Sequence, residues 1–173
     1  MRQRAIAPVV SVLLLVSLTG CGGDDSNPFG DPRSPSSSTD LAVGEVYTWQ
    51  DGVMASVDGL EERTERGEHD SYPEGHTAFT AEVVFDNESE QALSLSDFVF
   101  DAVSAADGAE ALVIHVEGVT DTLQGSLEPG ASEKVTLSWS LDTGERGREV
   151  TVVGVRASSD DTTAHPQWTG TLP

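Results

Sequence analysis

Histidine and carboxylate side chains are the groups in this sequence that could bind a metal ion or transfer protons. The chain has four histidines, and two of them lie in one acidic stretch, where His69-Asp70 is followed by His76. This spacing matches no zinc motif, and no cysteine lies nearby to complete a set of ligands. The pattern therefore favours solvated histidines over a divalent metal site, and we expect no bound metal and no cofactor.

Sequence motifs of catalysis are also missing. The chain contains neither a Gly-x-Ser-x-Gly turn for a nucleophilic serine nor a glycine-rich phosphate-binding loop. The acidic pairs Glu61-Glu62 and Asp160-Asp161 lie in polar stretches, where nothing in the sequence pairs them with a cleft for acid–base chemistry. We therefore expect a protein that is not an enzyme.

The single cysteine, Cys21, ends a pattern at the start of the chain. Arg2 and Arg4 precede an apolar run over residues 5–18, which leads into Leu18-Thr19-Gly20-Cys21. The run is shorter than the roughly 20 residues that span a bilayer, but it has the length of a signal-peptide core. The pattern resembles the lipobox of bacterial lipoproteins, which implies a lipid such as palmitate on Cys21. An ordinary secretory signal or a short transmembrane anchor are the alternatives.

This resemblance divides the chain into three segments. Residues 1–20 form the signal peptide, residues 21–40 a lipid-anchored flexible tether, and residues 41–173 the folded domain. The tether consists mainly of Gly, Ser, Pro and Asp, which cannot bury enough apolar surface to fold. We therefore expect the domain on the extracytoplasmic side of the cell membrane, held there by the lipid on Cys21. With its cysteine used in the anchor, the domain must fold on its hydrophobic core alone.

The protein is strongly acidic. It has 9 Lys and Arg against 30 Asp and Glu, a formal net charge of -21. Loss of Arg2 and Arg4 with the signal leaves 9 - 2 = 7 basic residues, so the mature charge is 7 - 30 = -23. Such a surface repels nucleic acid and anionic headgroups, and it favours a basic protein partner. A solvated acidic surface without a partner is the alternative.

Alternating apolar and polar residues predict short, half-buried strands along the domain. The clearest strand covers residues 77–87, and a second alternates around Trp139. The apolar side chains of the strand at residues 77–87 share one parity: Phe79, Ala81, Val83 and Phe85.

Turn signals separate the predicted strands. Asp51-Gly52 predicts a hairpin in which both residues can take positive φ. Glu128-Pro129-Gly130-Ala131 predicts a type II turn. Seven or eight such strands predict an all-β, immunoglobulin-like antiparallel two-sheet sandwich.

Three further patterns refine this prediction. Leu93 and Leu95 have the opposite parity to Phe98 and Phe100, so we expect a bend near residues 96–97. Residues 112–116 alternate as a strand with Leu112, Ile114 and Val116 on its apolar face and His115 on its polar face. Residues 150–155 are rich in valine without a polar face, which is typical of a central strand.

Several of these features occur together in a known family. The lipobox, the polar tether, the strand that ends in Asp86-Asn87, the Asp97-Phe98 pair and Leu127-x-Pro129-Gly130 resemble bacterial lipoproteins with a telokin-like, immunoglobulin-fold domain of unknown function. The resemblance covers about residues 44–172. It implies a fold and a cell-surface location, and it supplies no catalytic residues.

Residues that could contact a partner lie in one loop and near two strand ends. We expect residues 61–76 to form a long polar loop that displays Tyr72, because loops on a rigid sandwich commonly carry binding residues. A disordered connector is the alternative. Trp49 and Trp168 could be partly exposed contact residues, or they could simply cover an edge of the core. Trp139 is expected inside it.

The leading functional hypothesis is a non-catalytic, monomeric binding or accessory domain that contacts another envelope or secreted protein. A lipoprotein that binds a small solute or a divalent metal is the alternative hypothesis. The domain is short for the usual two-lobed solute receptor, and no ligand pocket is recognisable in the sequence.

The anchor predicts the behaviour of a single variant. Cys21→Ser should abolish lipidation and release the protein from the membrane, because the acceptor thiol is lost. Mass spectrometry of the wild-type N-terminus and fractionation of both proteins measure this. A wild-type chain without a diacylglyceryl group on Cys21 would contradict the lipoprotein assignment.

Overall fold

A computed structural model describes residues 38–65, 67, 71–157 and 165–173. The predicted signal peptide, Cys21, most of the tether and the His69-Asp70 pair lie outside these residues, as does Asp160-Asp161. The predictions made for them stay predictions.

The described residues form two main sheets that pack face to face as an immunoglobulin-like sandwich, as predicted. The strands are β1 (Asp40–Ala42), β2 (Val46–Thr48), β3 (Val53–Arg63), β4 (Thr77–Asn87), β5 (Leu93–Ser94), β6 (Phe98–Ser104), β7 (Leu112–Val113), β8 (Ser126–Leu127), β9 (Ser132–Leu141), β10 (Glu149–Arg156) and β11 (Gln167–Thr171). One sheet has the order β1-β11-β10-β6 and the other β2-β3-β4-β9-β7, while β5 and β8 form a short ribbon. Pairing is antiparallel except between β1 and β11, which run parallel.

The helical segments among the described residues are short. A single 3-10 turn covers Leu95–Asp97, and a four-residue helix, α1, covers Thr143–Arg146. The 3-10 turn lies where the sequence predicts a bend. It rotates the chain so that residues of opposite parity all face the core, namely Leu93, Leu95, Phe98 and Phe100. This prediction is therefore confirmed.

Aromatic rings join the two sheets through the core. Phe85 of β4 meets Phe98 of β6 at a centroid distance of 5.0 Å and Phe100 of β6 at 5.8 Å. Phe100 in turn lies 6.1 Å from the ring of Trp168 on β11. Gly154 of β10 lies beneath the last pair, and a Cβ there would come within 3.1 Å of both rings. The valine-rich strand β10 is central in its sheet, as its composition predicts.

Both predicted turns form, but the φ angles of the first turn differ from those expected. At residues 49–52, the Gly52 N–H donates to the Trp49 carbonyl at 3.0 Å and closes the β2–β3 hairpin. Gly52 has φ +90°, while every described non-glycine residue has negative φ, Asp51 included. The loop is therefore a three-residue turn with a glycine bulge rather than a turn with two positive φ angles. The Ala131 N–H donates to the Glu128 carbonyl at 3.0 Å, as predicted for the second turn.

Asn87, at the end of β4, joins several of these turns. It is 1% exposed, and its amide group donates 2.8 Å hydrogen bonds to the Leu127 and Gln91 carbonyls. Its side-chain oxygen accepts from the N–H of Ser89 at 3.1 Å and from the Ser89 hydroxyl at 2.6 Å. Both donors and both lone pairs of the amide are thus used. Its backbone carbonyl accepts from the Gly130 N–H at 2.6 Å.

Removal of this amide should destabilise the domain. Asn87→Ala leaves the buried Leu127 carbonyl without its donor, and we expect a loss of about 2–4 kcal/mol in the free energy of unfolding. Urea denaturation measures the loss. Glu88→Ala, a change at an exposed neighbour, is the control and should be neutral. Equal stability of Asn87→Ala and wild type would contradict this role.

Trp139 provides a test of the core. Its ring is 1% exposed and stacks on Phe79 at 5.8 Å. Trp139→Ala should cost about 3–5 kcal/mol, as expected for truncation of a buried large aromatic. Its indole N–H has no acceptor among the described residues, so Trp139→Phe should cost clearly less. A negligible loss for Trp139→Ala would contradict a place for the ring in the core.

Candidate functional site

The polar loop after residue 60 is shorter than the sequence predicts, because strand β3 extends into it. β3 continues through Arg63 and pairs with β4 as far as Ala78. A register shift between Asp58 and Leu60 places a bulge at Gly59, which interrupts the alternation by which strands are recognised. The prediction that the loop begins at residue 61 is therefore wrong, and its described part consists of residues 64–65, 67 and 71–76.

Tyr72 of this loop contacts apolar residues of the domain. Its side chain is half-buried and packs against a small apolar cluster of Ala78, Ile114 and Val116. The local sequence predicts polar surroundings for the Tyr72 ring, because its apolar neighbours Ile114 and Val116 lie far away along the chain. Contact between Tyr72 and a partner stays a prediction, and the ring also has a packing role within the domain.

The structure buries both strand-end tryptophans. Trp49 is 6% exposed and Trp168 is fully buried. The Trp49 ring lies 4.9 Å from Tyr47 and 5.4 Å from Phe98. Their burial contradicts the prediction of two partly exposed contact residues and agrees with the alternative, in which both rings cover an edge of the core.

Polar groups secure the two rings in place. The Trp168 indole N–H donates to the Glu45 carbonyl at 2.9 Å, which joins β11 to the turn before β2. The Arg156 guanidinium lies 5.8 Å from the centroid of Trp49 and pairs with Asp51 at 2.8 Å. Arg156 therefore covers part of the Trp49 ring.

From the sequence, one described histidine is a possible metal ligand and another is expected on the polar face of a strand. His76 is half-buried with its Nδ1 3.4 Å from the Ser140 hydroxyl, and His115 is exposed, as predicted. Within the described residues, no group of three His, Cys, Asp or Glu side chains is placed to hold a metal ion.

Two concave surfaces are polar. One, of about 420 Å³, lies beside the Gly59 bulge and includes Glu61, Glu65 and Glu82. The other, of about 510 Å³, lies near the Asn87 turn and includes Glu90. Both are lined mainly by surface carboxylates and hydroxyls, and neither brings an acid and a base together around an enclosed space.

A third concavity, of about 270 Å³, is apolar and lies where the open edges of the two sheets meet. We call it the edge groove. One wall is residues 98–101 of β6, and the opposite wall comes from β7, β9 and the loop between β7 and β8. The residues of the opposite wall are Val113, Thr120, Asp121, Leu123, Leu137, Ser138 and Trp139.

Two exposed apolar residues, Val99 and Val113, line this groove, and the exposed Leu112 is the neighbour of Val113 on β7. Val99 is 53% exposed, Leu112 47% and Val113 70%, and these are the large hydrophobic side chains exposed among the described residues. The expected strand over residues 112–116 forms only at Leu112–Val113, and Leu112 points to solvent rather than to the core. The sequence analysis missed this site, because alternation assigns residues to faces but does not show which strand edge is left open.

Comparison with known proteins supports the fold. No protein-family model and no curated protein sequence matches this chain. The candidate lipoprotein ycdA of Bacillus subtilis aligns with a TM-score of 0.55 at 10% identity, over 70% of this chain and 37% of its own. The secreted protein MPT63 of Mycobacterium tuberculosis aligns with a TM-score of 0.52 at 15% identity, over 76% and 96%. The yjhA protein of Bacillus subtilis gives 0.51 at 14%, over 77% and 99%.

At these identities the alignments show a shared β-sandwich fold and nothing about a ligand. The match to ycdA spans little more than a third of that protein. None of the helices in the described part of the chain is long and apolar enough to cross a bilayer.

Proposed function

We propose that this protein is a lipid-anchored, non-catalytic binding module that contacts another envelope or secreted protein. The lipobox-like sequence that ends at Cys21 supports the anchor, and the high negative charge favours a partner with basic surface. A rigid sandwich on a polar tether is suited to presenting a binding surface away from the headgroups.

The edge groove is the observation that carries this proposal. An exposed apolar patch that is rimmed by polar residues commonly marks a contact with another protein. Here Val99 and Val113 are exposed and line an apolar concavity, and the exposed Leu112 is the neighbour of Val113 on β7. Burial of these side chains against a partner would remove apolar surface from water and so favour binding.

The shifted pKa of one carboxylate has a structural cause. A lowered pKa is found at Asp107, in an exposed turn after β6. The N–H of Ala109 donates to this carboxylate at 3.1 Å and is the main cause, with smaller effects from Ser104 and Arg146. Stabilisation of a turn therefore explains this shift without a catalytic role.

Site-specific cross-linking in intact cells tests the proposed function. A photo-reactive phenylalanine analogue at position 113, which is exposed, should give an adduct with one extracytoplasmic protein. The same analogue at Glu133, an exposed residue outside the edge groove, is the control and should give none. Adducts identified by mass spectrometry measure the result. No adduct at position 113, or the same adducts at both positions, would contradict the proposal.

A further inference from the structure

We infer that the edge groove binds an extended, basic peptide segment of the partner, which adds a strand to the open edge of β6; this inference rests on the proposed function. Strand addition supplies affinity through main-chain hydrogen bonds and specificity through alternate side chains. Three observations carry the inference, and they concern the backbone of β6, the apolar walls and the charge of the rim.

The register of β6 leaves a row of peptide groups without a strand partner. The Ala102 carbonyl accepts from the Ala111 N–H at 2.8 Å, and the Ser104 N–H donates to the Ala109 carbonyl at 2.8 Å. Even-numbered residues of β6 therefore turn their peptide groups away from β10. Because this direction alternates along a strand, the N–H and C=O of Phe100 also face the open edge. Among the described strands, β6 pairs only with β10.

The walls of the groove suit the side chains of such a strand. The segment over residues 109–111 covers only the end of β6, through the bridge from Val103 to Glu110. Beside residues 98–101 the groove is open, and its far wall offers the apolar side chains of Val113, Leu123 and Leu137. A strand added along β6 would point alternate side chains toward this wall and the others toward solvent.

The charge of the rim selects the kind of segment. Asp101 and Asp121 line the groove and are exposed, and no Lys or Arg lies among its lining residues. Lysine or arginine at the solvent-facing positions of the added strand would lie close to these carboxylates. A second copy of this chain is disfavoured as the occupant, because it would bring a second Asp101 and a further formal charge of -21.

Binding of a defined probe tests the inference. The probe is a fluorescein-labelled synthetic decapeptide in which lysine alternates with valine, added to the full-length protein in neutral detergent. Fluorescence anisotropy should show saturable binding. Two control peptides should bind at least about tenfold more weakly. In one, glutamate replaces lysine; in the other, alternate backbone nitrogens are methylated and cannot pair with a strand.

Variants of the protein locate the binding surface. Asp101→Lys should weaken binding of the probe about tenfold, because a carboxylate at the rim is replaced by a like charge. Glu90→Lys makes the same change in net charge at an exposed position outside the edge groove and should have little effect. Equal weakening by the two variants would mean that only net charge attracts the probe, and would overturn the inference.

Amide hydrogen exchange distinguishes strand addition from adsorption. On binding of the probe, exchange of the Phe100 amide should slow several-fold, because its N–H faces the open edge. The Asp101 amide faces β10, where Asp101 pairs with Val153, and should not change. A Phe100 amide that is already protected without the probe would show that a second copy or another part of this chain fills the groove, and would overturn the inference.

The outcomes separate this inference from the proposed function. A partner cross-linked at position 113, together with a probe that does not bind, would overturn strand addition by a basic segment and leave the proposed function standing. If no partner were cross-linked at position 113, the proposed function itself would be overturned.

Discussion

The buried amide of Asn87 is the interaction on which one end of the sandwich depends. Through its side chain it holds the Leu127 carbonyl of β8 and the turn at Ser89, and through its backbone it holds Gly130. These contacts connect segments that lie about 40 residues apart, as the Asn87–Leu127 bond shows. Because the chain has one cysteine and so no internal disulfide, hydrogen bonds must fix these loops. An amide is suited to this task, since it donates and accepts twice without a buried charge.

The aromatic core has a second effect, because it fixes the strand that forms the candidate site. Phe98 and Phe100 are held in the core by Phe85 and Trp168. With these side chains fixed, the peptide groups of β6 can face solvent without a partner strand and still keep their position. A rigid edge loses little conformational entropy when a peptide binds, which favours affinity.

The sequence predicts the elements with regular alternation, but not the relations between them. Residues 77–87, Trp139 and the turn at Gly130 follow from local patterns, and the structure confirms them. The bulge at Gly59 is not predictable, because one extra residue destroys the parity on which strand recognition depends. Arg156 covers Trp49, and the Glu45 carbonyl accepts a hydrogen bond from Trp168. In each pair the two residues lie far apart along the chain, so no local pattern predicts the contact. The edge groove depends on which side of β6 pairs with β10, and no local pattern contains that information.

The parallel strand β1 has a mechanical consequence for an anchored domain. β1 and β6 are the two outer strands of the same four-stranded sheet, so a tether that enters at Asp40 and a partner held at β6 would pull on opposite edges. Tension between the tether and the partner would run across the sheet and load each boundary between neighbouring strands. The boundary of β1 with β11 is short, with three residue pairs from Asp40 to Ala42. It would therefore yield before the longer boundaries that β10 forms with β11 and β6, and its release would lengthen the tether.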